Sequence, residues 1–90
     1  MTIEWTEQAL SDLGRLYRFL AATNEEVAVR TIDNLVASLP RVLDQPRRGS
    51  VLEGLPKDVR RVVIGNCELR YETRVADIRI VSAFRLRESL

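Results

Sequence analysis

Histidine is absent from this 90-residue sequence, and cysteine, lysine and tryptophan each occur once. Without histidine there is no Ser-His-Asp or Cys-His arrangement and no imidazole to act as a base. One cysteine without histidine also excludes the usual zinc sites. Asp and Glu are scattered rather than clustered, so neither a metal nor a cofactor is expected. No internal disulfide can form from Cys67 alone, which suits a reducing compartment. Its place between Asn66 and Glu68 in an expected strand favours a small buried thiol over a nucleophile. No run of about 18 apolar residues occurs, so no membrane-spanning helix is expected. The opening MTIEWTEQ lacks the charged-then-apolar layout of a secretory signal, and a cytoplasmic location is expected.

What is present describes a soluble globule. Apolar residues make up 46% of the chain and charged residues 30%, a balance that argues against disorder. Residues 1–90 are expected to form one domain with a single modest core. The net charge of +1 conceals two unlike halves. Residues 1–46 carry four arginines against seven acids, a net of −3; residues 47–90 carry nine arginines and Lys57 against six acids, a net of +4. The cationic groups are therefore guanidinium groups almost throughout. These bind phosphates and carboxylates in bidentate fashion and tolerate burial better than ammonium groups. The basic half points toward an acidic partner.

Periodicity assigns the elements. TIEW (Thr2 to Trp5) alternates as a short strand. Thr6 then caps a helix whose stripe is Ala9, Leu10, Leu13, Leu16, Tyr17 and Leu20. Thr23 and Glu26 have the spacing of a capping box for a second helix. Its stripe is Ala28, Ile32, Leu35, Val36, Leu39 and Leu43, and Pro40 is expected to kink it. The short connection makes the two helices an antiparallel hairpin. PRRGSVLEGLPKD reads as a loop. Three strands follow: VRRVVI, then CELRYET after a Gly65-Asn66 turn, then a last strand from Ile78.

These elements predict an α+β domain of order β-α-α-β-β-β, with an antiparallel sheet covered on one face by the helical hairpin. Strict alternation puts Ile78, Ile80, Ser82 and Phe84 on one face of the last strand, and Arg79, Val81, Ala83 and Arg85 on the other. The uncovered face is expected to carry Arg70 and Arg79, one of Arg60 and Arg61, and the acids Glu68 and Glu72. Exposed apolar positions there, including Val81 and Ala83, would form a groove for a partner helix or strand.

Several stretches, taken in order, resemble the RelE/ParE superfamily of bacterial toxins from type II toxin–antitoxin modules. They are IEWTEQALSDLGRLYRFL, with Ala9, Asp12 and Leu13 in an A-x-x-D-L pattern; LPRVLDQPRRG; and VRRVVIGNCELRYETRVADIRIVSAFRLRE, with Leu69 and Tyr71 in an L-x-Y strand. The resemblance covers nearly the whole chain and implies one of two biochemistries. RelE-like members cleave mRNA in the ribosomal A site, holding the phosphate with basic residues and moving protons with a His, Tyr or Glu near the last strand. ParE-like members poison DNA gyrase, apparently without a nuclease site of their own. Both are silenced by a small antitoxin.

This sequence departs from the nuclease pattern. After Tyr71 it has no Tyr and no His, and Glu88 is its only late carboxylate. Phe84 stands where nuclease relatives often keep a polar group, and arginine stays protonated. The resemblance therefore implies a ParE-like toxin: a binding protein acting on DNA gyrase, without catalytic residues, held in a hetero-oligomer by a ParD-like antitoxin. Under that reading Arg60, Arg61, Arg70, Arg79, Arg85 and Arg87 are the residues expected to bind the target or the antitoxin. The alternatives are a ribosome-dependent endoribonuclease using Arg60, Arg61, Arg79 and Arg85 on the mRNA phosphate, and a non-toxic antitoxin-binding relative.

Overall fold

Thr6 sets the boundary between the first strand and the first helix in the computed structural model, which describes residues 2–51, 54, 56 and 58–86, the Arg48 side chain excepted. Strand β1 (Ile3–Trp5) ends on an extended Thr6, and α1 (Glu7–Ala21) begins. The Thr6 hydroxyl accepts the Ala9 N–H at 3.1 Å and donates to the Ile80 carbonyl at 3.1 Å. One side chain thus caps the helix and fixes it to the far end of the sequence. On α1, Ala9 and Leu16 are buried and Leu13 and Leu20 pack against the core, whereas Leu10 is 54% exposed. The buried position on that stripe belongs instead to a carboxylate, Asp12.

Helix α2 (Glu25–Asp44) starts one residue later than the Thr23 capping box predicts. The Thr23 N–H bonds back to the Leu20 carbonyl, so Thr23 still closes the end of α1. Extended Asn24 caps α2 instead, its Oδ1 accepting the Val27 N–H at 3.1 Å. The helix continues across Pro40 to Asp44. Pro40 and Val36 both lie on the exposed side, where the carbonyl deprived of its N–H partner is open to water. Ala28, Leu35, Leu39 and Val42 are the buried positions, with Val42 taking the place expected of Val36.

A 3₁₀ turn (Pro46–Arg48) leads to a two-residue strand, β2 (Ser50–Val51), followed by β3 (Val59–Ile64), β4 (Cys67–Thr73) and β5 (Ile78–Arg85). The sheet order is β1-β5-β4-β3-β2. β2 is an addition to the expected order, lying where the sequence reads as loop. The pairs β2–β3, β3–β4 and β4–β5 are antiparallel as expected, but β1 joins β5 in parallel, with Ile3 opposite Ile78 and Trp5 opposite Ile80. The sheet is therefore mixed. β1 leads straight on into α1, which advances along β5 in the same sense, from Thr6 beside Ile80 through Asp12 beside Ala83 to Phe19 beside Arg85. The β3–β4 hairpin has φ of +61° at Gly65 and no positive φ at Asn66. That is the II′ pattern expected of Gly at the first turn position.

The helices cover one face, packing Leu16, Leu35 and Leu39 onto Cys67, Leu69, Tyr71, Ile78 and Ile80. Tyr71, 1% exposed, also anchors the chain after α2. Its hydroxyl donates to the Pro46 carbonyl at 2.6 Å and accepts the Gly49 N–H at 3.2 Å. Arg60, directly opposite Tyr71 on β3, donates from Nη1 to the carbonyls of Arg47 (3.1 Å) and Gly49 (2.9 Å). A side chain at position 49 would collide with the Tyr71 hydroxyl and sit 2.8 Å from the Arg61 carbonyl. Gly49→Ala is therefore predicted to destabilise the fold by about 1–3 kcal/mol through overpacking, measured as a lower urea midpoint at unchanged slope.

Candidate functional site

A single extra residue in β5 decides where the late arginines point. Tyr71 pairs with Ile80 and Arg70 with Ser82, so Val81 has no partner on β4. This is a β-bulge, and it inverts the alternation beyond it. The expected faces hold from Ile78 to Ile80 and are reversed afterwards. Ala83, opposite Leu69, lies in the core at 2% exposure. Arg85, opposite Cys67, also turns to the helix side, whereas Phe84, opposite Glu68, emerges on the open face. The expected groove over Val81 and Ala83 therefore does not exist: Ala83 is buried and Val81 half-buried.

Asp12 holds the bulge. One carboxylate oxygen accepts the Ala83 N–H at 3.1 Å, and the other accepts the Gln8 side-chain amide at 2.8 Å and the Arg15 guanidinium. β1 stops opposite Ile80, so Ala83 lies beyond the stretch of β5 that β1 pairs. Burial alone would raise the Asp12 pKa. The Ala83, Gln8 and Arg15 hydrogen bonds and the Arg15 charge outweigh it and hold the carboxyl below its usual 3.8. In the sequence Asp12 stands out only as part of the A-x-x-D-L pattern. Its signal was available, because a carboxylate sits on the buried side of a helix between Ala9 and Leu16.

The open face gathers three of the expected arginines and pairs each with glutamate. Glu68 has a side chain only 6% exposed, accepts the Arg70 Nε–H at 2.9 Å and forms an ion pair with Arg61 Nε at 3.1 Å. Arg61 and Arg70 are directly opposite one another, so this shared carboxylate offsets a like-charge pair. The Arg70 guanidinium lies 4.9 Å above the Phe84 ring. Toward β1, Arg79 approaches Glu4 at 3.6 Å and Glu72 at 3.9 Å, and Arg74 contacts the same two acids at 3.6 and 3.5 Å. Four arginines thus face three glutamates across this network. The exposed pairs contribute little stability each, whereas Glu68 would be costly to strip of its partners.

The remaining expected residues are elsewhere. Arg60 is on the helix side, committed to the Arg47 and Gly49 carbonyls. Arg85 is also on the helix side, its guanidinium 4.2 Å above the ring of Phe19 on α1. Arg87 lies outside the described residues. The six expected arginines therefore do not form one surface: Arg61, Arg70 and Arg79 share the open face, and Arg60 and Arg85 do not.

Other side chains are unsuited to proton transfer. Cys67 is 1% exposed, and burial pushes its thiol pKa up against the opposing charge of Arg85. Burial likewise raises the Tyr71 phenol, against the Gly49 hydrogen bond and the Arg60 charge. Among the described residues no cluster of three or more His, Cys, Asp or Glu is placed to hold a metal, and no helix is long and apolar enough to cross a membrane.

This arrangement of two helices on one face of a five-stranded mixed sheet recurs in solved toxin structures. A chain of the chromosomal ParDE TA system from P. aeruginosa superposes with a TM-score of 0.76 at 18% identity, over 97% of each chain. The isolated E. coli RelE toxin gives 0.61 at 22% identity, over 97% of this chain and 85% of that one. A chain of the intact E. coli RelBE toxin–antitoxin complex gives 0.60 at 21% identity, over 96% of each. At such identities the likeness establishes the α+β toxin fold. No curated protein sequence matches significantly. The family model described as the ParE toxin of type II toxin–antitoxin system, parDE, does match, over residues 3–89. The chain therefore belongs to the ParE toxin family.

Asp12 is predicted to control stability in a pH-dependent way. Its carboxyl pKa is lowered in the fold, so its charge contributes stability that is fully present above the unfolded pKa. That stability is lost as pH falls through the folded value, below 3.8. Asp12→Ala should cost about 1–3 kcal/mol at neutral pH by leaving the Ala83 N–H without its partner. Urea titrations from pH 7 to pH 2.5 should show the gap between wild type and variant closing on the acid side.

Proposed function

We propose that this chain is the toxin of a ParE-type module, inhibiting DNA gyrase and held inactive by a ParD-like antitoxin. The family match supplies the branch, and the neighbouring structures, two of which are described as toxin–antitoxin assemblies, support an antitoxin as partner. The observation that carries the gyrase reading over RNA cleavage is the state of the open face. Cleavage by ribose 2′-OH attack requires one group to take a proton and another to give one. Glu68, the central carboxylate of this face, is nearly buried and engaged by two guanidinium groups. Glu4 and Glu72 are each flanked by Arg74 and Arg79. Tyr71 points away from this face, and its hydroxyl is occupied by Pro46 and Gly49. An evenly paired Arg/Glu surface of this kind recognises a folded, polar protein surface through charge complementarity. Arg61, Arg70 and Arg79 are the side chains proposed to meet the target.

Induced expression is expected to arrest growth, with rescue by the co-expressed antitoxin. Purified toxin should block gyrase supercoiling or trap cleaved DNA, and leave ribosome-bound mRNA intact in a parallel assay. Cut mRNA with unaffected gyrase would contradict the proposal.

A further inference from the structure

Glu68 is a buried carboxylate on a face that is otherwise open. It lies directly opposite Val63 on β3 and Phe84 on β5. Those two apolar neighbours are 44% and 37% exposed, whereas Glu68 between them is buried. Its oxygens are divided between two guanidinium groups, Oε1 facing Arg61 Nε and Oε2 accepting the Arg70 Nε–H. A buried ion pair or triad adds little net stability over an apolar side chain of similar volume. Stability therefore gives no account of a carboxylate at this position.

Its effect falls on the two arginines. Arg61 and Arg70 are directly opposite one another, and their like charges alone would drive the side chains apart. Engagement through Nε holds both guanidinium groups beside Glu68 and leaves their Nη groups for other acceptors. The Arg70 Nε–H bond is the one side-chain hydrogen bond that either arginine makes among the described residues. Stacking above the Phe84 ring restricts Arg70 further. Each of the two side chains is 35% exposed, so the clamp reaches the surface. Paired guanidinium forks with free ends suit a carboxylate, and adjoining apolar side chains keep water from such a contact.

We propose that Glu68 is a positioning residue. It holds Arg61 and Arg70 as a clamp for an acidic side chain of the target protein, with Val63 and Phe84 packing beside that contact. The assignment rests on the gyrase reading above and names the chemistry of the partner group at this site.

The test titrates the full chain calorimetrically into purified gyrase without DNA. Glu68→Gln makes the face more positive, so attraction by net charge alone would tighten binding to an acidic partner. Loss of positioning predicts the opposite, binding at least ~10-fold weaker than wild type. Glu68→Asp keeps the charge but is too short to span both arginines, and should lose at least ~3-fold. Asp33→Asn, the same charge change as Glu68→Gln at an exposed site on α2, should stay within ~2-fold of wild type. Thermal melts establish that each variant is folded. The Arg70 Nε–H signal in NMR spectra should exchange with water faster in Glu68→Gln than in wild type. If wild type binds gyrase and either folded Glu68 variant binds as tightly, the positioning role is overturned while the gyrase reading stands. Retention of the toxin by DNA alone, lost on Arg61→Ala or Arg70→Ala, would assign the clamp to phosphate and overturn the carboxylate partner. If wild type does not bind gyrase, the target reading fails and this proposal fails with it.

Discussion

The hydrogen bond from the Ala83 N–H to the Asp12 carboxylate joins the first helix to the last strand at the point where β5 steps out of register. The bulge at Val81 reverses the facing of the side chains from Ser82 to Arg85, and α1 supplies the acceptor that holds the displaced strand. Thr6 secures the same junction from the start of the helix, through the Ile80 carbonyl. With these two bonds in place, Ala83 fills the core, Phe84 passes to the open face and Arg85 to the helix side. A β5 without the bulge would turn Phe84 to the helix side and Arg85 to the open face that carries Arg70 and Arg79. The chemistry of both surfaces depends on this one step.

Two unlike faces result from one sheet. On the open face the guanidinium groups are locked in pairs with glutamates, and Glu68 is nearly buried between Arg61 and Arg70. On the other side, Arg41 and Arg85 line a groove of mixed polarity and have no carboxylate partner among the described residues. A surface of paired charges sets specificity more than affinity.

Most of the fold was readable from periodicity. The helix stripes, the Thr6 cap, the Gly65-Asn66 turn and the buried Cys67 and Tyr71 all follow local rules that the tertiary structure obeys. The shift of the α2 cap from Thr23 to Asn24 reflects competition with the last turn of α1, which a spacing rule does not include. The parallel placement of β1 depends on the path the chain takes through both helices, which no local pattern records. β2 has only two residues and is too short to show an alternation. The candidate site was less accessible. Alternation placed Arg70 and Arg79 correctly and failed after Ile80, because a bulge leaves no periodic trace in a run as short as Val81 to Arg85. Arg60 and Arg61 were known to diverge, but only the pairing register shows that Arg60 turns inward to the Gly49 carbonyl. The clearest missed clue was Asp12, a carboxylate on an apolar stripe, which announces a buried acceptor in need of donors.

The central claim is that the bulge sends Phe84 and Arg85 to opposite faces. Side-chain NMR contacts test it most directly. Nuclear Overhauser effects are expected between the Phe84 ring and the Arg70 side chain, and between the Arg85 side chain and the Phe19 ring, with slow exchange of the Ala83 amide. Contacts of the Phe84 ring with Leu35 and Leu69, and of Arg85 with Arg70 or Glu68, would show a β5 of regular alternation and contradict the account.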